Sequence, residues 1–287
     1  MHVVVLASDT GWHTDELVRA ISARGLEPLL LPWEANIGRM GVASGVTNGG
    51  HLLRSARAVL ARIIPGGSLE QIIYRVDTLH RLEEDGVRLM NTAHAIERTV
   101  DKAWTSAILE RAGLPTPETV ACERADDAFA VFRAMGDVVV KPIFGSMGLG
   151  MSRVSDEDMA WRVFRVVETV RGVYYLQRFI PHAGRDIRVF VIGGKVLGAI
   201  ERSAPGWRTN FSRGGSVRPF ELPAAWADLA IRAAESVGAE YAGVDLLPAQ
   251  DGTVYVLEVN GIPGWEGLQR ATGIDVAAAV VGQLLAR

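Results

Sequence analysis

In the stretch VVVKPIFGSMGLGM, residues 138–151, a run of valines ends in Lys141 and is followed by a loop with Gly145, Ser146, Gly148 and Gly150. Glycine loops cradle phosphates because backbone N–H groups without a neighbouring Cβ approach the oxygens closely. A Walker loop places its lysine after the glycines, and a dinucleotide fingerprint needs GxGxxG opening a helix. Here the lysine comes first and another strand-like segment, GMSRV, follows. Strand, lysine, glycine loop and strand make a hairpin whose tip folds over a triphosphate, or a plain mobile turn.

The second chemical stretch is GVDLLPAQDGTVYVLEVNGIPG, residues 243–264. Asp251-Gly252 is a two-residue hairpin signal. Counting back from that turn places Asp245 opposite Glu258, with Asn260 on the same face as Glu258. Two carboxylates facing each other among Leu246, Leu247, Val256, Leu257 and Val259 repel and are costly to bury. A divalent cation resolves the repulsion, and hard oxygen ligands suit Mg²⁺. An arginine is the alternative partner. The six histidines are scattered without metal-ligand spacing, His182 reads as a surface residue, and no Ser-His-Asp set is evident.

The elements that must position these groups follow from periodicity. HVVVLAS and LEPLLLPW read as strands, with a helix between them capped by Thr14 and striped by Leu17, Ala20 and Ile21. IIYRV, residues 72–76, reads as a third strand and residues 38–50 as a long loop. A helix is expected over 96–111, before the proline-broken LPTPET. Short strands return at ETVACE, DVVVKPI, GMSRV and VYYLQRFI, then DIRVFVIGG and KVLGAIERS, with helices near 159–170 and 225–237. The expected organisation is an N-terminal α/β unit over 1–92, a central unit over 93–182 and a C-terminal unit over 183–287.

Composition bounds the reading. The chain has 287 residues, 48% of them hydrophobic and 22% charged, which is ordinary globular composition. A net charge of −3 without a basic run argues against nucleic acid. The lone Cys122 suits a reducing compartment, and no apolar run reaches membrane-spanning length. A cytoplasmic protein without a membrane partner is expected.

These motifs resemble the ATP-grasp superfamily, and within it the RimK-like α-L-glutamate ligases. YRVDTLHRL and IERTVDK resemble in particular the branch that glutamylates tetrahydromethanopterin-type coenzymes. The resemblance implies an α/β ATP-grasp fold in which the central and C-terminal α+β units grip ATP. It implies that Lys102, in ERTVDK, and Lys141 contact the nucleotide phosphates together with the loop residues Gly145, Ser146 and Gly148. Gln177, Arg178, Phe179 and Ile180, in LQRFI, would be the adenine hinge. Asp186 would contact the nucleotide, Arg188 would lie near the reacting groups, and Arg208 with Asn210 would lie at the phosphates. Asp245, Glu258 and Asn260 would hold Mg²⁺, with Mn²⁺ able to stand in. Arg75, Arg202 and Arg213 are candidates for substrate carboxylates, since arginine forks match them. Two departures stand out. Arg178 occupies a hinge position that is often acidic in the family, and NGIPGWEGL replaces the commoner NASPG-type ending.

The resemblance implies an ATP-dependent carboxylate–amine ligase that joins L-glutamate to a small-molecule or peptide carboxylate through an acylphosphate, releasing ADP. A homo-oligomer is compatible with it. A non-catalytic nucleotide-binding module and a ligase with another amino-acid donor are the alternatives. A Rossmann oxidoreductase lacks its GxGxxG near residues 7–11.

Overall fold

The computed structural model describes residues 1–8, 10–145, 148–208 and 216–286. Its first sheet grows from β1 (His2–Leu6), whose Val3, Val4, Val5 and Leu6 are all fully buried, as in a parallel strand covered on both faces. α1 (Trp12–Ser22) begins at an N-cap of Gly11, so Thr14 lies one turn inside the helix. Its hydroxyl still bonds back to the Gly11 carbonyl and accepts from the Gly11 N–H. β2 (Glu27–Leu31) follows. The segment expected as a long loop instead forms a small antiparallel sheet of β3 (Asn36–Arg39), β4 (Gly45–Asn48) and β5 (His51–Leu52). β6 (Ala58–Ala61) returns to the first sheet.

IIYRV is not a strand. It lies inside α2 (Leu69–Glu84), opened by a capping box in which Ser68 and Gln71 bond reciprocally. The cap and the helical spacing of buried Arg75, Thr78, Leu79 and Leu82 override the local β-propensity of two isoleucines. β7 (Leu89–Met90) completes a parallel sheet of order β2-β1-β6-β7.

The expected helix over 96–111 is two helices, α3 (Ala93–Val100) and α4 (Lys102–Arg111). Asp101 leaves helical geometry between them, and its carboxylate caps α4 by accepting from the Trp104 N–H at 2.9 Å. Next come β8 (Thr119–Cys122), α5 (Ala125–Met135), β9 (Val138–Lys141), β10 (Ser152–Val154), α6 (Glu157–Thr169) and β11 (Tyr174–Arg178), with sheet order β10-β9-β11-β8. Period-two alternation sends Val138, Val140, Tyr174 and Leu176 into the core under α5 and α6. Val139, Lys141 and Gln177 therefore face the other way.

The last sheet has order β14-β13-β12-β15-β16, from β12 (Arg185–Ile192), β13 (Lys195–Ser203), β14 (Ser216–Pro219), β15 (Tyr241–Pro248) and β16 (Val254–Asn260). Ile187, Val189, Val191, Val244, Leu246, Val256 and Val259 pack on α7 (Ala224–Val237). The opposite face carries Asp186, Arg188, Arg202 and Asp245. After α8 (Glu266–Thr272), the apolar α9 (Val276–Leu285) buries Val276, Ala277, Val280, Val281 and Leu284 in one core with β1 and α1. The chain's last helix thus ties its last sheet to its first. Among the described residues no helix is long and apolar enough to cross a membrane.

Candidate active site

The polar faces of the β10-β9-β11-β8 and β14-β13-β12-β15-β16 sheets line one open cleft. β9 and β11 contribute Lys141, Gln177 and Arg178 to one wall, followed by Phe179 and Ile180. The facing wall holds Asp186, Arg202, Asp245 and Glu258, and Arg208 stands at the rim.

On the first wall, Lys141 Nζ donates to Gln177 Oε1 at 2.6 Å. Burial pushes the Lys141 pKa down to about 8. Glu258 opposes that shift, the charge of Lys102 adds to it, and Asp245 also opposes it. The ammonium is thus desolvated beside a second cation, an arrangement that a polyanion would relieve. Lys102 opens α4 and donates to the carbonyls of Gly145, at 2.6 Å, and Ile143, at 3.4 Å, so it holds the root of the glycine loop. Gly145 and Gly148 have φ of 135° and 66°, conformations that a side chain would strain.

At the hinge, Arg178 turns its guanidinium away to Glu118, at 2.8 and 2.5 Å, and to the Met135 carbonyl. Its backbone N–H donates to the Glu118 carbonyl. The charge reversal at this position therefore has its own acidic partner. Phe179 lies under the Arg153 guanidinium, 3.5 Å from the ring centroid, which fixes the ring at the cleft.

On the second wall, Asp245 pairs with Glu258 in register, as hairpin parity predicts, but by a different route. The turn holds three residues, because Ala249 N–H donates to Thr253 O and Pro248 pairs with Val254. A bulge between Asp245 and Leu246 adds one residue back on β16. Val256 and Val259 consequently both enter the core, while Leu257 and Glu258 both line the cleft.

The two carboxylates differ in environment. Asp245 receives Arg188 through two hydrogen bonds, one of 2.7 Å, and Arg202 at 3.0 Å. Burial raises its pKa, and these arginines overcome that and hold it below the usual carboxylate range. Arg202 also forks onto Asp186 at 2.7 and 2.8 Å, and it is buried. Glu258 accepts no hydrogen bond and forms no ion pair among the described residues. Asn260 donates its amide nitrogen to Gly243 O at 3.2 Å, leaving its side-chain oxygen for another ligand. An unpaired carboxylate and an oriented amide oxygen beside a second carboxylate are a donor set that fits Mg²⁺.

The remaining candidates are dispersed. Arg208 donates to the Met151 carbonyl at the end of the glycine loop and stacks on Trp207. Arg75 is buried in α2 with its guanidinium on the carbonyls of Pro65 and Gly66, apart from the cleft. Ser146, Asn210 and Arg213 lie outside the described residues. His182, read as a surface residue, is half-buried and lines the cleft, where burial lowers its pKa and the Gly184 N–H donates to its Nδ1.

Sequence reasoning missed the supports. Gln177 Nε2 donates to Thr119 Oγ1 at 3.0 Å and to the Tyr175 hydroxyl at 3.3 Å, and that hydroxyl pairs with Ser106 at 2.8 Å. Asn91, fully buried, donates to the carbonyls of Tyr241 and Gly261 and accepts from the N–H groups of Glu240 and Tyr241. It thereby fixes the start of β15 and the turn after β16. The pairing that hides both supports spans many tens of residues, and no local motif signals it.

The chain is similar to several known proteins. Residues 99–284 match the family described as the RimK-like ATP-grasp domain. A tetrahydromethanopterin:alpha-L-glutamate ligase of Methanosarcina acetivorans is 33% identical over 317 residues, covering 98% of this chain and 97% of that protein. A probable alpha-L-glutamate ligase of Sodalis glossinidius is 32% identical, covering 100% and 98%. The structure of the ATP-grasp ligase PsnB with minimal precursor, Mg and ADP superposes with a TM-score of 0.75 at 23% identity, over 99% of this chain and 97% of that one.

Proposed function

The chain belongs to the RimK-like ATP-grasp family, an enzyme family of ATP-dependent ligases, and on that premise we propose that it joins L-glutamate to the carboxylate of a small coenzyme. The observation that carries this reading is the cleft itself. It sets a desolvated lysine ammonium opposite an unpaired carboxylate, with no serine, threonine or cysteine among the described residues that line it. The likeness to the Methanosarcina enzyme over nearly the whole chain supports glutamate as donor and a coenzyme as acceptor.

A carboxylate does not condense with an amine at neutral pH, because oxide is a poor leaving group. In the proposed sequence an acceptor carboxylate oxygen attacks the γ-phosphorus of ATP and ADP leaves, giving an acylphosphate. The α-amine of glutamate then attacks the acyl carbon, and phosphate leaves with its bridging oxygen. Lys141 binds the transferring phosphoryl group and Lys102 holds the glycine loop over it. Both act as fixed cations, in keeping with a transfer that needs stabilisation of charge and no covalent help from the protein. Backbone groups around Gln177, Arg178, Phe179 and Ile180 hold adenine, and Asp186 lies beside the nucleotide. Glu258, Asn260 and Asp245 would hold Mg²⁺, which would supply charge neutralisation for the phosphates. Arg188, paired with Asp245 on the same sheet face, would meet the acceptor carboxylate.

The test labels the acceptor carboxylate with heavy oxygen. An ADP-release screen with L-glutamate constant and reduced pterin coenzymes, deazaflavin coenzymes, short peptides and N-acetylated amino acids varied finds the acceptor. One labelled oxygen should then appear in the released phosphate. Unlabelled phosphate, or AMP and pyrophosphate in place of ADP, would overturn the mechanism, and turnover with lysine in place of glutamate would overturn the donor.

A further inference from the structure

Arg62 is a buried guanidinium, 5% exposed, that forms no ion pair with any carboxylate among the described residues. It follows β6, and its backbone N–H donates to the carbonyl of Leu6 at the end of β1. β1 and β6 are the neighbours at which the order β2-β1-β6-β7 changes direction. The crevice at the carboxyl ends of two such strands is where open α/β sheets bind ligands. The guanidinium donates from Nη1 to the Pro263 carbonyl at 3.2 Å and lies 4.7 Å from the centroid of the Trp265 ring.

Two further donors lie against it. Among the described residues the indole N–H of Trp265 is buried without an acceptor, and the fully buried Tyr241 hydroxyl has no neighbour but Arg62 to bond. A buried cation with unused N–H groups, beside an unsatisfied indole and phenol, is a costly arrangement unless an acceptor joins it. His13 is not that acceptor. Burial and the Arg62 charge push its pKa down to about 4, and its Nε2 already accepts from the Trp265 backbone N–H at 3.0 Å.

Pro263 also lies near Arg188. Asn260 is three residues before Pro263, and a Cβ on Gly243 would lie 3.0 Å from Pro263 Cβ and 3.1 Å from Arg188 Cδ. Pro263 therefore stands between Arg62, which bonds its carbonyl, and Arg188. We propose that Arg62, Trp265 Nε1 and the Tyr241 hydroxyl form an oxyanion subsite that holds a second anionic group of the acceptor, a carboxylate or a phosphate, while its reacting carboxylate lies at Arg188. The role as an acceptor subsite rests on the ligase reading above; the anion site itself does not.

The experiment measures binding of inorganic phosphate and, separately, glutarate to the full chain saturated with Mg²⁺ and a non-hydrolysable ATP analogue, so that the nucleotide phosphate positions are filled. At least one probe should bind, and the tighter one identifies the anion class. Arg62→Gln should weaken that binding about tenfold or more, as expected for a lost charge-assisted hydrogen bond. Tyr241→Phe, which removes only the hydroxyl, should weaken it less and covers the case in which Arg62→Gln does not fold. Neither variant should alter affinity for the ATP analogue. Absence of probe binding, or equal binding by folded Arg62→Gln and Tyr241→Phe proteins, would overturn the subsite. If the probes bind through Arg62 while no acceptor supports ADP release, the subsite stands and the ligase reading falls.

Discussion

Lys141 Nζ and Gln177 Oε1 lie 2.6 Å apart, and the same amide's nitrogen is held by Thr119 and Tyr175. Gln177 is thereby fixed in one orientation, with its oxygen toward the ammonium. A neutral acceptor stabilises the charged lysine only in part, so burial still dominates. Lys141 is thus a desolvated cation whose charge an anion would stabilise.

This relationship sets a pH dependence. An unfolded lysine titrates near 10.5 and the folded Lys141 near 8. Between those values the unfolded chain binds more protons, so this group makes stability of the ligand-free protein rise with pH from about 8 to 10.5. Nucleotide binding has the opposite sign, because phosphates favour the ammonium. Affinity for Mg-ATP should fall above about pH 8, approaching tenfold per pH unit as one proton must be taken up. Calorimetry at pH 8.5 in two buffers of different ionisation enthalpy reads that proton directly. Gln177→Glu places a charge beside the ammonium and should move the onset to higher pH. Constant affinity from pH 7 to 9.5 would remove Lys141 from the phosphate site.

Arg202 was a candidate for a substrate carboxylate, yet its guanidinium is already engaged by Asp186 and Asp245. Arg202→Met leaves two buried carboxylates short of a partner and should cost about 3–5 kcal/mol. Arg188→Met should cost less, because Asp245 keeps Arg202. Denaturant unfolding with unchanged m-values separates the two. A stable Arg202→Met protein with a raised KM for glutamate would restore the substrate role.

How much of this was legible depended on how local the cause was. Lys141 before its glycine loop could be read because strand, lysine and loop are contiguous. The Asp245–Glu258 pairing was also read, although two deviations had to cancel: a turn longer by one residue and a bulge longer by one. IIYRV was misread because isoleucine and valine signal strand in isolation, whereas the Ser68–Gln71 cap and the register of buried Arg75 and Leu79 decide the helix. Arg178–Glu118 and Arg62–Trp265 were invisible. Each pairs residues far apart in sequence whose meeting is set by sheet order, which local spacing does not encode.

Asn91 is one such hidden contact, and its chemistry makes a severe test possible. Its amide nitrogen donates to the carbonyls of Tyr241, at 2.7 Å, and Gly261, at 2.6 Å. Asn91→Asp puts an acceptor against those two oxygens with almost no change in shape. The expected loss is about 3 kcal/mol or more, since a buried repulsive contact replaces two hydrogen bonds. Thermal or denaturant unfolding measures it, and a variant within about 1 kcal/mol of the parent would show that the clamp is dispensable.

Glu258 offers the sharpest separation of function from fold. Asp245 has arginine partners, but Glu258 has none among the described residues, so the fold does not depend on neutralising it. Glu258→Gln keeps the shape and removes the charge. Stability should change by no more than about 0.5 kcal/mol, the usual range away from buried networks. Turnover should fall about 100-fold or more, as for loss of one preorganised electrostatic contact, with a higher Mg²⁺ requirement. A second readout links this site to the first wall. Glu258 raises the Lys141 pKa, so its removal should move the loss of Mg-ATP affinity to lower pH. Near-normal turnover at saturating Mg-ATP would sink the metal assignment. An unchanged pH onset would show that Glu258 and Lys141 do not share one field in solution.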